Sequence, residues 1–381
     1  MKCILHIGTE KTGTTSLQEF FHQNREILSR NGYLYTKSAG LRNNRLLSLA
    51  AYDSERRDAF TKSLRICCEQ DLIQYQNATI KALKGELKQA QGIHTVIFSS
   101  EHFQSRLQTD EEVSRLKIIL NDLGLYDISI VVYLRPPADI ANSLYTTYVI
   151  FGGTEAHPPG PENEYWHNVC DHRATLTRFR NQFGTETVIP RIFSTIELVN
   201  GSILDDFAEI IGLSLAQEKY VIPMRQNESI PTLALEIIRR INKAIPPLTE
   251  DQQPNELRGN IILYVLSNLK DGETYSMPMD LRQQYEDTFR EGNEWVRSEY
   301  FPSRQKLFEP KRISRTGSCS LSASELDQVA RIISEIWIDK SRELATLQSS
   351  RAYQMAMKLS RQKKRVIQLR DRLIRLMYHC R

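Results

Sequence analysis

The stretch Gly8-Thr9-Glu10-Lys11-Thr12-Gly13-Thr14-Thr15-Ser16 constrains this chain more than any other. Before it, Cys3-Ile4-Leu5-His6-Ile7 reads as a short buried strand; after it, Leu17, Phe20, Phe21, Ile27 and Leu28 recur at helical spacing. A strand, a glycine loop and a helix in that order make an anion site, because loop amides converge on the ligand and the helix dipole favours negative charge there. The three hydroxyls Thr14, Thr15 and Ser16 stand at the helix start, where they serve as caps or as ligand contacts.

Nucleotide-binding loops of the form G-x-x-x-x-G-K-[ST] carry a lysine directly after the second glycine. Here Gly8 and Gly13 keep the spacing and Thr15 keeps the hydroxyl, but Thr14 occupies the lysine position and Lys11 stands inside the loop. Moved there, the cation sits beside the bond between a nucleotide's terminal group and the remainder.

Lys11-Thr12-Gly13-Thr14-Thr15 resembles the 5′-phosphosulfate loop of the sulfotransferases that use 3′-phosphoadenylyl sulfate (PAPS), the bacterial and carbohydrate members among them. That family's second signature is a strand ending in arginine, then a helix with a serine eight residues on. Ile130-Val131-Val132-Tyr133-Leu134-Arg135, followed by a segment reaching Ser143, is similar to it. The resemblance spans residues 1 to 345, with its diagnostic power at 8 to 17 and 130 to 143. It implies a P-loop-like α/β fold, a parallel sheet flanked by helices, with a helical C-terminal extension. It also implies that Lys11, Thr12, Gly13, Thr14, Thr15 and Ser16 hold the 5′-phosphate side of PAPS, and that Arg135 and Ser143 hold its 3′-phosphate. Lys11 would stabilise charge on the leaving phosphate, and no metal is required.

Sulfuryl transfer needs aligned reactants and, for the acceptor proton, a general base. Glu101 and His102 follow the strand Thr95-Val96-Ile97-Phe98, where related sulfotransferases place that base. The resemblance to carbohydrate enzymes favours Glu101; a helix cap or a pair with Arg106 or Lys11 is its plain alternative. For Arg135 the alternative is a strand-end salt bridge. A nucleotide-dependent kinase is the competing enzyme; the two strong strands end in Ser-Ser-Glu and Leu-Arg rather than in a magnesium-binding aspartate, though Glu101 could take the aspartate's place. A non-catalytic nucleotide-binding or scaffold protein is the third reading. His157, His167, Cys170 and His172 match no zinc spacing. Tyr165 and Trp166 either stack on a sugar acceptor or pin the neighbouring loop, and Arg225-x-Asn227-x-Ser229 looks like a late family segment near the nucleotide.

Strand–helix alternation predicts a parallel sheet whose carboxyl ends carry the ligand, and the clusters at Lys11, Glu101 and Arg135 all lie just past strand ends. Gly32-Tyr33-Leu34-Tyr35 reads as a short strand or edge, and Thr187 to Phe193 as another strand, its Pro190 favouring an edge or a strand start. The breaker-rich stretch 151 to 164 is a loop, and helices are expected from Thr232 to Arg297. The expected domains are a catalytic domain over 1–312, a linker and amphipathic helix over 313–350 opened by a Ser322-x-x-Glu325 capping box, and a basic helical tail over 351–381.

The net charge of +4 is unevenly spread: residues 351–381 hold ten Lys or Arg against one acid, Asp371, so the rest of the chain is slightly acidic. This excludes a general polyanion binder such as a nucleic-acid protein, and leaves the tail as a candidate for a membrane surface or for self-association. Otherwise the expected partner is a small-molecule or glycan acceptor. Six scattered cysteines without C-x-x-C pairing, a first apolar run of strand length only and no span-length apolar stretch give the expectation of a reduced, cytoplasmic protein.

Overall fold

The computed structural model describes residues 1–216, 218–223, 230–309, 322–351, 355 and 357–359. It is an α/β protein built on one five-stranded parallel sheet, with β1 (Lys2–His6), β2 (Tyr33–Tyr35), β3 (Thr95–Ser99), β4 (Asp127–Leu134) and β5 (Val188–Ile192) in the order β2-β3-β1-β4-β5. β1 therefore lies mid-sheet, with Leu5 opposite Phe98 on one side and Ile130 on the other. The connection leaving β1 runs toward β2 and the one leaving neighbouring β3 runs the opposite way, to β4, which opens the crevice for a ligand outside the ends of β1 and β3, beside β4.

Both sheet faces are covered, and this explains the unbroken apolar strands. Cys3, Leu5, Val96, Phe98, Ile130 and Val132 enter one core, while Ile4, Ile97, Val131 and Tyr133 enter the other with Leu17, Phe20, Phe21 and Phe207. At about 25 cal/mol per Å² of apolar surface, such burial is the main force holding the helices on the sheet. β5 pairs only with β4, so Pro190 costs no ladder bond on its open side.

The predicted helix through Leu28 is in fact two, Thr14–Gln23 and Arg25–Arg30. Asn24 breaks it: its buried side chain donates to the Phe20 and Val221 carbonyls, each at 2.8 Å, and accepts from the Val221 amide at 2.8 Å. That distant tether outweighs the continuous apolar spacing.

The chain divides into two compact units. The first holds the sheet and comprises Met1–Tyr145, His157–Ser229 and Ser276–Thr316. In the second, Thr146–Ala156 and Ile230–Tyr275 join the C-terminal segment from Gly317. There the helix Thr232–Ala244 packs on Ala323–Ser349; Arg240 pairs with Asp327 at 2.7 Å and Trp337 donates to the Leu257 carbonyl at 2.7 Å. The expected Ser322/Glu325 capping box opens that last helix. The Arg225–Ser229 segment, the 313/314 linker start through Ser320 and nearly all of the basic tail lie outside the described residues. Among the described residues, no helix is long and apolar enough to cross a membrane.

One buried polar knot ties the second core face together. Asp206 is fully buried and accepts from the Tyr133 hydroxyl at 2.9 Å, from Arg191 Nε at 3.1 Å and from the Val199 amide at 3.3 Å. Asp206→Ala strands those donors, so chemical unfolding should show a loss of about 3 kcal/mol; a loss below about 1 kcal/mol would mean the knot contributes little.

Candidate functional site

The loop between β1 and the first helix is shaped by its two glycines. Gly8 has φ 108° and runs so close to the end of β3 that a Cβ there would lie 3.2 Å from the Glu101 Cα. Gly13 has φ 79°, precedes the helix Thr14–Gln23, and a Cβ there would press on Ile203 Cδ1 at 3.0 Å and on the Phe193 ring at 3.3 Å. Side chains at both positions meet steric as well as conformational strain. Thr9 keeps the loop on β4, its amide and hydroxyl both donating to the Tyr133 carbonyl at 3.1 Å, and Thr12 donates its hydroxyl to the Thr9 carbonyl at 2.7 Å.

The main-chain N–H groups of Thr12, Gly13, Thr14 and Thr15 have no acceptor among the described residues. The first-turn amides of a helix have no partner within it, and here no side chain caps them. Thr15 is exposed and Ser16 half-exposed at the same end. These donors fit the oxygens of a phosphate group. Nothing in the arrangement conflicts with the residues read from sequence as the 5′-phosphate contacts.

Lys11 has φ 63°, a left-handed conformation uncommon for a residue with a Cβ. Its carbonyl accepts a 2.8 Å hydrogen bond from Nη1 of Arg135, contributed 124 residues later in the chain. Burial lowers the pKa of the Lys11 ammonium; the Glu10 and Glu101 carboxylates oppose this, and Arg135 adds to it. Lys11, Glu101 and Arg135 are therefore brought together at the ends of three adjacent strands.

Glu101 does not cap the helix His102–Arg106. Its carboxylate accepts from Gln18 Nε2 at 2.9 Å and from Asn43 Nδ2 at 3.0 and 3.1 Å. Gln18 lies one turn into the loop helix, so the carboxylate is fixed to the element that starts at Thr14. Neither amide was visible as a site residue in the sequence; Gln18 reads there as one polar position on an amphipathic helix, and Asn43 as part of a polar loop.

His102 differs from its neighbour. Its ring packs edge-on against Phe60 at 5.2 Å between centroids, and its Nδ1 is buried without a hydrogen-bond partner. Burial, then the Arg106 charge, lowers its pKa to about 4. Arg106 pairs with Asp58 at 3.7 Å and lies 5.1 Å from the Tyr165 ring centre. Tyr165 donates to Glu10 Oε1 at 2.5 Å, so it pins its helix to the residue beside Lys11. Trp166 is buried.

Arg135 is half-buried just past β4, and its own carbonyl accepts from His172 Nε2 at 2.7 Å. Burial lowers its pKa, Asp139 acts against this, and Arg282 reinforces it. Ser143 stands two turns along the helix Pro137–Ile150 and is half-buried. Of His157, His167, Cys170 and His172, the last three have separate partners: His167 donates to the Pro161 carbonyl, Cys170 to the Pro137 carbonyl and His172 to the Arg135 carbonyl. Among the described residues, no group of three or more His, Cys, Asp or Glu is placed to hold a metal.

Two open clefts lie on this unit. One of about 850 Å³ is lined by Arg56, Arg57, Asp58, Glu164 and Tyr165, adjoining the Glu10 side of the loop. The other, of about 830 Å³, lies between Arg25, Leu34 and Glu86 and includes none of Lys11, Glu101 or Arg135.

No family model matches the chain, and no curated protein matches it. Among solved structures it is similar to a sulfotransferase from Alicyclobacillus acidocaldarius, at 18% identity over 59% of this chain and 86% of that one, with a TM-score of 0.37.

The depressed His102 pKa has a consequence for stability. Between its ordinary 6.5 and about 4 the unfolded chain binds a proton that the folded ring refuses. Stability is therefore unaffected above pH 6.5 and falls as pH drops through that window, by up to about 1.4 kcal/mol per pH unit for one site. His102→Gln should flatten the slope between pH 6.5 and 4.5 in urea unfolding, leaving the share due to buried His6 and His172. An unchanged slope would show that the ring protonates equally in both states.

Proposed function

We propose that this protein is a sulfotransferase that moves a sulfuryl group from PAPS to an acceptor hydroxyl, with a carbohydrate as the acceptor class. The observation that carries the reading is the convergence on Lys11: a half-buried lysine on a phosphate-type loop, bound at its carbonyl by Arg135 and lying in the field of Glu101. Leaving-group cation, second-phosphate arginine and general base thus belong to one site.

In this reading the open amides of Thr12 to Thr15, with the hydroxyls of Thr14, Thr15 and Ser16, bind the donor's 5′-phosphate. Arg135 and Ser143 bind its 3′-phosphate, for which arginine's forked donors are suited. Glu101 takes the proton from the acceptor hydroxyl as the acceptor oxygen bonds to sulfur. The bond from sulfur to the phosphate oxygen breaks, and the electron pair leaves on adenosine 3′,5′-bisphosphate. Lys11 offsets the charge that develops on that oxygen, as preorganised cations do in phosphoryl transfer. Gln18 and Asn43 keep Glu101 oriented throughout. The polar cleft beside Tyr165, with charged and aromatic groups together, suits a polyhydroxylated acceptor.

Adenosine 3′,5′-bisphosphate without metal should raise the melting temperature, since a ligand at a hundred times its Kd adds about 2.7 kcal/mol of stability. Stabilisation only by Mg·ATP, abolished by a chelator, would replace this reading with a nucleotide-dependent kinase. With labelled PAPS and a panel of glycosides, Lys11→Ala should lower kcat far more than donor affinity; equal losses would make Lys11 a binding residue only. Glu101→Gln should abolish transfer while leaving bisphosphate binding intact, and full transfer by that variant would remove Glu101 from the mechanism.

A further inference from the structure

Arg282 is distant in sequence from every motif considered above, yet it reaches the helix that follows Arg135 and carries Ser143. It lies on the helix Met279–Thr288 and is 9% exposed. Its Nη2 donates to Asp139 at 3.0 Å; among the described residues its Nη1 makes only a loose 3.8 Å ion pair with half-exposed Glu286, and its buried Nε has no partner. A guanidinium has five donors, and leaving most of them unused in a nearly dry place is costly. Its position is firmly set: just before this helix, the Met277 amide donates to Asn142 at 2.7 Å, and Tyr285 donates to the Pro159 carbonyl at 2.8 Å.

Asp139 lies in the first turn of the helix Pro137–Ile150, four residues after Arg135 and four before Ser143. Residues four apart share a helix face, so Asp139 and Ser143 line one stripe of it. A carboxylate at that place opposes the binding of a phosphate dianion and competes for Arg135. With Arg282 bound to Asp139, the group of Arg135, Asp139 and Arg282 keeps one net positive charge.

We propose that Arg282 is a positioning residue for the 3′-phosphate subsite, holding and neutralising Asp139 so that Arg135 remains available to the ligand. This rests on the donor reading above and adds to it a residue that selects a ribose 3′-phosphate over an unphosphorylated ribose. The same Asp139 and Arg282 charges act on Arg135, in opposite directions, where it stands past β4.

The test compares the affinities of adenosine 3′,5′-bisphosphate and 5′-AMP by calorimetry, in the full chain. Wild type should prefer the bisphosphate, and Arg282→Met should reduce that preference at least about tenfold with 5′-AMP affinity unchanged, the size expected of one charge in a partly screened site. Asp139→Asn added to Arg282→Met should restore most of the preference, because the opposing charge is gone; Asp139→Asn alone should keep or increase it. A preference that survives Arg282→Met, a double variant that fails to recover, or a drop in Asp139→Asn alone would each overturn the proposal. Should Arg282→Met fail to fold, the double variant and the Asp139→Asn variant decide the matter. A wild-type protein that does not distinguish the two ligands would instead overturn the donor reading, and this proposal with it.

Discussion

Main-chain N–H groups at the start of the helix Thr14–Gln23 set the terms for everything around them. A helix begins with donors it cannot satisfy, and here Thr12 to Thr15 offer theirs without any capping side chain. The sheet places that end at its centre, since β1 is flanked by β3 on one side and β4 on the other. The loop can reach the position only because Gly8 passes tightly over the end of β3 and Gly13 turns into the helix against Ile203 and Phe193. A local requirement of the backbone thus dictates both glycines and explains why side chains from two neighbouring strand ends gather there.

The charges around the loop form a connected run of both signs. Glu101 faces Lys11, Lys11 adjoins Arg135, Arg135 adjoins Asp139, and Asp139 is held by Arg282. The run has three cations against two carboxylates, or three against three with Glu10 included, so it is close to balanced overall. It is nevertheless polarised: Glu10 and Glu101 stand on one side of Lys11, while on the other the two guanidiniums of Arg135 and Arg282 outnumber the single carboxylate of Asp139. A ligand carrying negative charge at two separated points matches the cationic part, while a group that must lose a proton matches the anionic part. The compact ammonium of Lys11, between them, delivers charge to a single oxygen better than a broad guanidinium would.

Much of this was legible in the sequence, and for identifiable reasons. Strands buried on both faces carry continuous apolar runs, so β1, β3 and β4 stand out without help from their neighbours. The loop residues 8 to 16 are consecutive, and Arg135 to Ser143 lie on one short segment. What the sequence conceals is long-range. Asn24 splits a well-patterned helix because Val221 binds it from far along the chain. Gln18, Asn43 and Arg282 are ordinary surface types until folding brings Glu101 and Asp139 to them. Tyr165 was open between stacking and pinning; its bond to Glu10 makes it a pin.

The adjacent pair Glu101 and His102 illustrates how folding separates equal candidates. Both follow β3, and by type alone either can accept a proton. The strand end turns at Glu101, directly against Gly8, which directs its carboxylate to Gln18 and Asn43 beside the loop. One residue on, the helix His102–Arg106 has begun, and the His102 ring faces Phe60 instead. There it loses water and stands near the Arg106 charge, so its proton affinity falls to about 4 and it is a poor base at neutral pH. Glu101 keeps two amide donors, Gln18 and Asn43, that hold its carboxylate in a fixed orientation beside the loop. The direction in which the chain turns at a single peptide therefore gives opposite surroundings to two residues that the sequence presents side by side.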